Sequence, residues 1–189
     1  MKNITKMAIS AALLTSFSTT SFAEKSWQFF PGVNDDFIFD PTISIMAGQM
    51  RPSLKIGDAA IGTGIELSIN CPLLQPPTNR IRQQISYFNY KDSDSTIITV
   101  EVNPHYVFEV MPKLEIGAGP GFGYVSADVN GKTANMGAFQ LGGSIHYRIS
   151  RFFIGAEGRY QWTTEGKIGT GTEDGAKNAK AALKLGFDF

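Results

Sequence analysis

The sequence is short of cysteine, of net charge and of long apolar runs. Cys71 is the only cysteine among 189 residues, so no intramolecular disulfide can form. The 17 basic and 17 acidic residues cancel, which leaves no basic footprint for a nucleic acid. No apolar stretch approaches the roughly 20 residues that a membrane-spanning helix needs. These absences exclude a disulfide scaffold, and they leave a soluble protein and a membrane β-barrel as alternatives.

The first residues carry the pattern of an export signal. Lys2 and Lys6 form a short basic start, and Met7 to Phe17 is mostly apolar or small. Ser21-Phe22-Ala23 then matches the small-x-small pattern of a cleavage site. We therefore predict a secretory signal peptide over residues 1–23, cleaved near Ala23. Because Met7 to Phe17 is shorter than a membrane-spanning helix, a retained anchor is not expected.

The last segment shows the period that the rest of the chain follows. From Ala181 to Phe189 the odd positions are apolar, whereas the even positions carry Lys184 and Asp188 beside small residues. This alternation predicts a β-strand with one apolar and one polar face. Seven earlier segments alternate in the same way. The eight predicted strands are Thr42–Met50, Gly64–Asn70, Arg80–Tyr90, Ile98–Tyr106, Leu114–Val125, Ala134–Tyr147, Arg151–Thr163 and Ala181–Phe189.

The connections between these strands fall into two groups. One end of the strands has the longer or more polar connections, which are Arg51–Ala59, Lys91–Ser95, Asn130-Gly131 and Gly166–Gly175. The other end has the tight turns Val110–Lys113 and Ile149–Arg151, together with the Pro-rich Cys71–Asn79. Short turns at one end and longer loops at the other are typical of outer-membrane barrels. Residues 24–41, rich in Phe and Asp, are predicted to be a lead-in segment to a barrel domain over 42–189.

The chemistry of the two strand faces indicates which one is enclosed. The polar face is small as well as charged, because every second residue from Gly117 to Gly123 is glycine and only 18% of the chain is charged. An eight-stranded barrel has room inside only for packed side chains, which suits such a face. Aromatic residues near the strand ends match the girdles of membrane barrels. These residues are Tyr106 and Tyr147 toward the turns, and Tyr160 and Trp162 toward the loops.

The predicted fold is therefore all-β, a closed antiparallel eight-stranded up-and-down transmembrane β-barrel with its apolar faces in lipid. The alternative is a soluble, lipocalin-like binder in which the apolar faces point inward.

The C-terminal pattern Leu183-x-Leu185-x-Phe187-x-Phe189 resembles the assembly signal of Gram-negative outer-membrane proteins. The mature chain resembles the small eight-stranded barrels of the OmpA/OmpX/opacity-protein superfamily. This resemblance implies an outer-membrane location, surrounding outer-membrane lipids and lipopolysaccharide, and the barrel-assembly machinery as a partner in biogenesis. We expect no cofactor, no bound nucleic acid and a monomeric state.

Ionisable residues on the enclosed face form a candidate site. Opposite charges in a low-dielectric interior must pair, because an unpaired buried charge is very costly. We expect an ion-paired plug that fixes the strand register, with a narrow path for water or ions as the alternative. Lys180 and Asp188 lie on the same face. The predicted network consists of Glu66, Arg82, Glu101, Glu115, Glu157, Arg159 and Lys184.

A second set of polar residues is predicted to point inward near the turn end. His105, Glu115, Ser144 and His146 could in principle form a Ser-His-Glu triad or a metal site. Some small outer-membrane barrels are lipid A deacylases, but the His-x-Ser-Asn signature associated with them is missing after His146. Ser144 and His146 also face away from the predicted lipid surface. We therefore expect no catalytic or metal site. The predicted role is structural or surface-interacting, with a narrow channel or a lipid-modifying enzyme as alternatives.

Overall fold

The computed structural model describes residues 26–52, 59–93, 95–129, 131–168, 172–175 and 177–189. The predicted signal peptide lies outside these ranges, so its cleavage near Ala23 stays a prediction. No helix within the described ranges is long and apolar enough to cross a membrane.

Eight long strands form one closed barrel in which every neighbouring pair is antiparallel. Each strand pairs with the strand before and after it in the chain, as expected when short connections join antiparallel neighbours. The strands are β1 (Thr42–Pro52), β2 (Ala60–Asn70), β3 (Arg80–Lys91), β4 (Ser95–Met111), β5 (Leu114–Val129), β6 (Lys132–Ile149), β7 (Phe152–Thr163) and β8 (Asn178–Asp188).

Pairing of the last strand with the first closes the barrel. β8 pairs with β1 from Asp188–Thr42 to Asn178–Pro52, and with β7 along its other edge. Phe189 follows β8, and its backbone N–H donates to the carbonyl of Pro41 at 3.2 Å. Closure satisfies the backbone groups that an open sheet edge would expose to lipid. The predicted eight-stranded up-and-down barrel is therefore confirmed.

Several strands extend beyond the segments that alternate clearly. β2 begins at Ala60 instead of Gly64, and β4 runs from Ser95 to Met111. The extensions are held by backbone hydrogen bonds to the neighbouring strands, which form whichever side chains are present. Alternation of apolar and polar residues therefore does not reveal them. The predicted loop Gly166–Gly175 is also partly regular, because Glu165–Ile168 pairs with Thr172–Gly175 as a short hairpin extension.

The two barrel ends differ in their connections. Tight two-residue turns follow β4 and β6, where Lys113 and Ser150 adopt positive φ angles of 72° and 57°. The longer connection between β2 and β3 pairs with the lead-in segment, since Gln28–Phe29 and Leu74–Gln75 form a two-stranded sheet. We call the end of the barrel that carries these three connections the turn end. The opposite end, where the β7–β8 connection lies, is the loop end.

The strand faces are inverted relative to a soluble barrel. Leu183 is 66% exposed on the outside of β8, whereas Lys184, the next residue, is completely buried inside. Apolar side chains are also exposed on the outer faces of other strands, as Ile45, Ile65 and Phe122 show. This is the arrangement of a transmembrane barrel, whose outer face meets hydrocarbon. The soluble alternative is therefore wrong.

The interior departs from the expected lumen of small and charged residues. The loop-end half is filled by a cluster of buried apolar side chains in which Phe88 and Tyr90 stack with ring centroids 4.5 Å apart. We call this cluster the apolar plug. Inward positions near the loop end carry methionine and aromatic residues, whose burial is favoured by the hydrophobic effect. The apolar plug consists of Met46, Met50, Ala60, Phe88, Tyr90, Ile97, Val125, Ala127, Ala134, Met136 and Ala182.

Candidate functional site

A buried group of charges occupies the middle of the lumen. Lys184 Nζ lies 2.7 Å from Glu66 Oε2 and 2.5 Å from Glu157 Oε2. Arg159 Nε lies 2.5 Å from Glu157 Oε1. These side chains come from β2, β7 and β8 and lie on inward positions of their strands. Their shared hydrogen bonds join three strands across the interior.

A second ion pair adjoins this group. Lys180 binds Glu101, and Gln161 Nε2 donates to Glu101 Oε1 at 3.3 Å. With the first group, these residues make three carboxylates and three cations in total, which we call the central network. Charge balance of this kind is what burial in a low dielectric requires. The network members are Glu66, Glu101, Glu157, Arg159, Lys180 and Lys184.

A separate chain of ion pairs closes the turn end. Asp40 Oδ2 of the lead-in lies 2.7 Å from Arg82 Nη1 and 3.3 Å from Arg80 Nη1. Arg80 also binds Glu115, whose other oxygen lies 3.1 Å from Arg148 Nε. Arg148 in turn binds Asp188 near the end of β8. This turn-end network again balances three carboxylates against three guanidinium groups, and it consists of Asp40, Arg80, Arg82, Glu115, Arg148 and Asp188.

All seven residues of the predicted network lie inside the barrel, but they do not form one cluster. Arg82 and Glu115 belong to the turn-end network, and the other five belong to the central network. Sequence reasoning missed Arg80, Arg148 and Asp40. The two arginines share strand parity with inward neighbours, so alternation could have revealed them. Asp40 lies in a segment without a period, and no sequence signal marked it.

The predicted aromatic and assembly residues lie on the outer surface. Tyr147 and Tyr160 are each 44% exposed and Trp162 is 38% exposed. Tyr106 is half-buried, and its hydroxyl donates to the carbonyl of Thr78 at 3.1 Å. Their placement in a bilayer stays a prediction. The same holds for the assembly role of Leu183, Leu185, Phe187 and Phe189, of which the two leucines point outward.

The Ser, His and Glu set does not form a triad. Ser144 Oγ lies 3.4 Å from His105 Nδ1, but His105 Nε2 faces Arg159 Nη2 at 2.9 Å instead of a carboxylate. Glu115 is bound to the arginines of the turn-end network. His146 packs edge-on against Phe153. Within the described part of the chain, no group of three or more His, Cys, Asp or Glu side chains could hold a metal ion.

Side chains of the apolar plug and of the central network face each other across a small cavity in the described part of the lumen. A cavity of about 10 Å³ lies between Phe88, Tyr90, Glu101 and Arg159, which is room for about one water molecule. Glycines on β5 make this close packing feasible. A Cβ atom on Gly121 would lie 1.8 Å from Asn103 Oδ1. The alternating glycines of β5 therefore relieve crowding in a narrow interior, as their strand spacing indicated.

Comparisons with known proteins identify the fold. No protein-family model matches the chain, and no curated protein matches it. The crystal structure of Neisserial surface protein A matches with a TM-score of 0.55 and 15% identity, over 80% of this chain and 97% of that one. Ail, the attachment invasion locus protein of Yersinia pestis, matches with a TM-score of 0.51 and 16% identity, over 81% and 100%. At these identities the likeness shows the fold alone, that of the small eight-stranded outer-membrane barrels.

Proposed function

We propose that the protein is an integral outer-membrane β-barrel with a structural or surface-interaction role, and that it neither conducts solutes nor catalyses a reaction. The observation that carries the proposal is the contrast between the two faces of the sheet. The outside carries many exposed apolar side chains, and the inside is occupied by the apolar plug and two charge-balanced networks. A filled interior makes the barrel a rigid support for the connections at its loop end.

The filled lumen argues against a channel. An ion crossing the barrel would have to pass the stacked rings of Phe88 and Tyr90 and then separate the buried pairs of the central network. Breaking a buried ion pair by removing one partner costs about 3–5 kcal/mol. Conduction would therefore require the apolar plug and the central network to rearrange. On that condition a narrow channel is the second candidate function.

The position of Ser144 argues against a lipid-modifying enzyme. Ser144, His105 and His146 are all buried on the inner face of the sheet, whereas a membrane lipid would approach from the outer face. In a catalytic triad a carboxylate orients the histidine. Here the guanidinium of Arg159 lies beside His105 Nε2 instead. The contacts from Ser144 to His105 and from His105 to Arg159 support a structural role instead of an acyl-transfer site.

The surroundings of the protein follow from the proposed location. The apolar outer surface fits outer-membrane lipids and lipopolysaccharide, and the outward Leu183 and Leu185 fit recognition by the barrel-assembly machinery. Ail is an attachment invasion locus protein, and its likeness supports a cell-surface role for this chain. The proposal includes export, a monomeric state, no cofactor and no nucleic acid partner.

Conductance in planar bilayers tests the sealed lumen. Purified protein comprising residues 24–189 should insert without current steps, beside a porin that conducts under the same conditions. Folding is checked by gel mobility, since a folded barrel should migrate differently before and after boiling. If regular current steps appear and their size changes in a Lys184→Met variant, the current passes through this lumen. That result would refute the sealed barrel.

Lipid analysis tests the absence of catalysis. Cells expressing the protein and cells expressing its Ser144→Ala variant should contain lipid A with the same acyl chains. Loss of an acyl chain in the first cells but not in the second would instead establish the lipid-modifying enzyme.

A further inference from the structure

A set of exposed apolar side chains lies off the eight barrel strands, at the turn end. They belong to residues 27–39 and to the β2–β3 connection, residues 71–79, which we together call the rim module. Phe29 is 74% exposed and Ile38 is 73% exposed, although both lie in a described and hydrogen-bonded segment. The exposed set comprises Trp27, Phe29, Phe30, Val33, Ile38, Phe39 and Leu73.

The rim module is held in a defined conformation. Besides the strand pairing of Gln28–Phe29, the backbone N–H of Phe30 donates to the carbonyl of Leu73 at 2.8 Å. The N–H of Gly32 donates to the carbonyl of Pro72 at 3.0 Å. A Cβ atom on Gly32 would lie 2.5 Å from Cβ of Pro72, so the two segments pack closely. The aromatic rings are thus presented outward by a small folded unit.

Contacts tie the rim module to the lipid-facing side of the barrel. Tyr106, whose side chain belongs to the outer face of β4, binds the carbonyl of Thr78 and accepts a hydrogen bond from Asn79. At the end of β2, the N–H of Asn70 donates to the carbonyl of Phe39 at 2.7 Å. The chain then enters β1, where Ile43 is 45% exposed on the outer face. The module therefore adjoins the outer face of the barrel at both the start of β1 and the turn end of β4.

The size and composition of the exposed set fit a bilayer interface. With roughly 200 Å² per aromatic side chain, the rings of Trp27, Phe29, Phe30 and Phe39 expose on the order of 400 Å² of largely apolar surface. This equals the largest apolar patch of an ordinary soluble protein, about 300–600 Å², before the aliphatic residues are added. Aromatic side chains, Trp above all, favour the depth of lipid headgroups.

The charges of the module indicate which membrane surface it suits. The module, residues 27–39 and 71–79, contains no lysine or arginine, and its acidic residues, Asp35 and Asp36, are exposed together at a turn. The module itself therefore offers no cation to anionic headgroups, and insertion of its apolar rings is the interaction that it can make with a membrane. Asp40, the next acidic residue, is turned inward to Arg82.

We propose that the rim module is a membrane-interface anchor, which inserts its aromatic side chains between the headgroups of the leaflet at the turn end. This inference rests on the proposed membrane location of the barrel. The occupant of the apolar surface is the lipid of the same bilayer. The module thereby fixes the height of the barrel in the membrane and stabilises the long β2–β3 connection.

Tryptophan fluorescence tests this placement directly, because the chain has two tryptophans, one in the module and one on the barrel. In a Trp162→Phe variant, Trp27 reports on the module alone. The protein is folded into zwitterionic phosphatidylcholine vesicles with bromine atoms near the glycerol end or near the tail end of the acyl chains. Shallow bromines should quench Trp27 roughly twofold more strongly than deep ones, since amphipathic rings sit at headgroup depth.

The matched control is Trp27→Phe, which leaves Trp162 on the outer face of β7 and should also be quenched by bromolipid. If Trp162 is quenched while Trp27 responds only to a water-soluble quencher, the module faces water or a protein and the anchor is refuted. If neither responds to bromolipid, the barrel does not lie in the bilayer and the proposed function fails with it. Phe29→Ser/Phe30→Ser, introduced beside Trp162→Phe, should lower quenching of Trp27 if the rings insert together.

Discussion

Removal of one buried lysine should reveal how far the central network stabilises the barrel. Lys184 is completely buried and lies within 2.7 Å of two carboxylates. In Lys184→Met the stem of the side chain is retained and the charge is lost. Glu157 keeps Arg159 as its partner, but in the described part of the chain Lys184 is the one cation that pairs with Glu66. The variant therefore leaves one buried carboxylate without a counter-charge.

The magnitude follows from that uncompensated charge. Breaking a buried pair by removing one partner costs about 3–5 kcal/mol, which lowers the folding equilibrium constant roughly 10²- to 10³·⁵-fold. Neutralising the stranded carboxylate as well, in Lys184→Met/Glu66→Gln, should restore most of the loss. Lys184→Met/Glu157→Gln should not, because Glu66 stays unpaired and Arg159 loses its closest partner.

Urea unfolding in phospholipid vesicles measures these differences, with unfolding and refolding curves required to coincide. Tryptophan emission and the gel mobility of unboiled samples report the folded fraction. Lys177→Met is the control, since Lys177 is exposed beside the start of β8 and such surface changes are usually within about 0.5 kcal/mol. A Lys184→Met protein as stable as this control would refute the role given to the network, as would failure of Glu66→Gln to rescue it.

Two further changes test lumen packing and lead-in attachment. A Cβ on Gly119 would lie 2.0 Å from the carbonyl oxygen of Pro104, so Gly119→Ala should cost about 1–3 kcal/mol in the same titration. Gly158→Ala, whose nearest contact is at 3.9 Å, should cost far less, and equal losses would contradict the packing argument. Asp40→Asn weakens the ion pairs of the lead-in and should speed chymotrypsin cleavage within residues 26–39 while the barrel stays folded. Asp36→Asn is the exposed control, and equal cleavage of both variants would contradict the attachment.

The strand pattern could be predicted because it depends on neighbours in the chain. Alternation of Leu183 and Lys184 assigns one side chain to each face, whatever strand lies beside β8. The inversion of the faces was likewise visible in composition, since small and charged residues share the face opposite Leu, Ile and Phe. Charged residues of the central network were found for the same reason.

It was harder to predict which layer of the lumen an inward side chain joins, because that depends on its position along the barrel axis. Met50 and Tyr90 occupy inward positions that alternation assigns to the polar face, yet they pack in the apolar plug. Period two distinguishes inside from outside and carries no information about which layer of the lumen a residue enters. Asp40 shows a further limit, because a side chain supplied by an irregular segment has no face to predict.

The sequence by itself determined that this chain forms strands, how many, and which face of each meets lipid, because these properties follow from alternation within single segments. Only the tertiary structure decided which charges meet. Lys184 and Glu66 are 118 positions apart and are joined across the closure of β8 on β1. Their pairing depends on the registers along which all eight strands align, and the strand periods that place each residue inward contain no information about the partner it finds there.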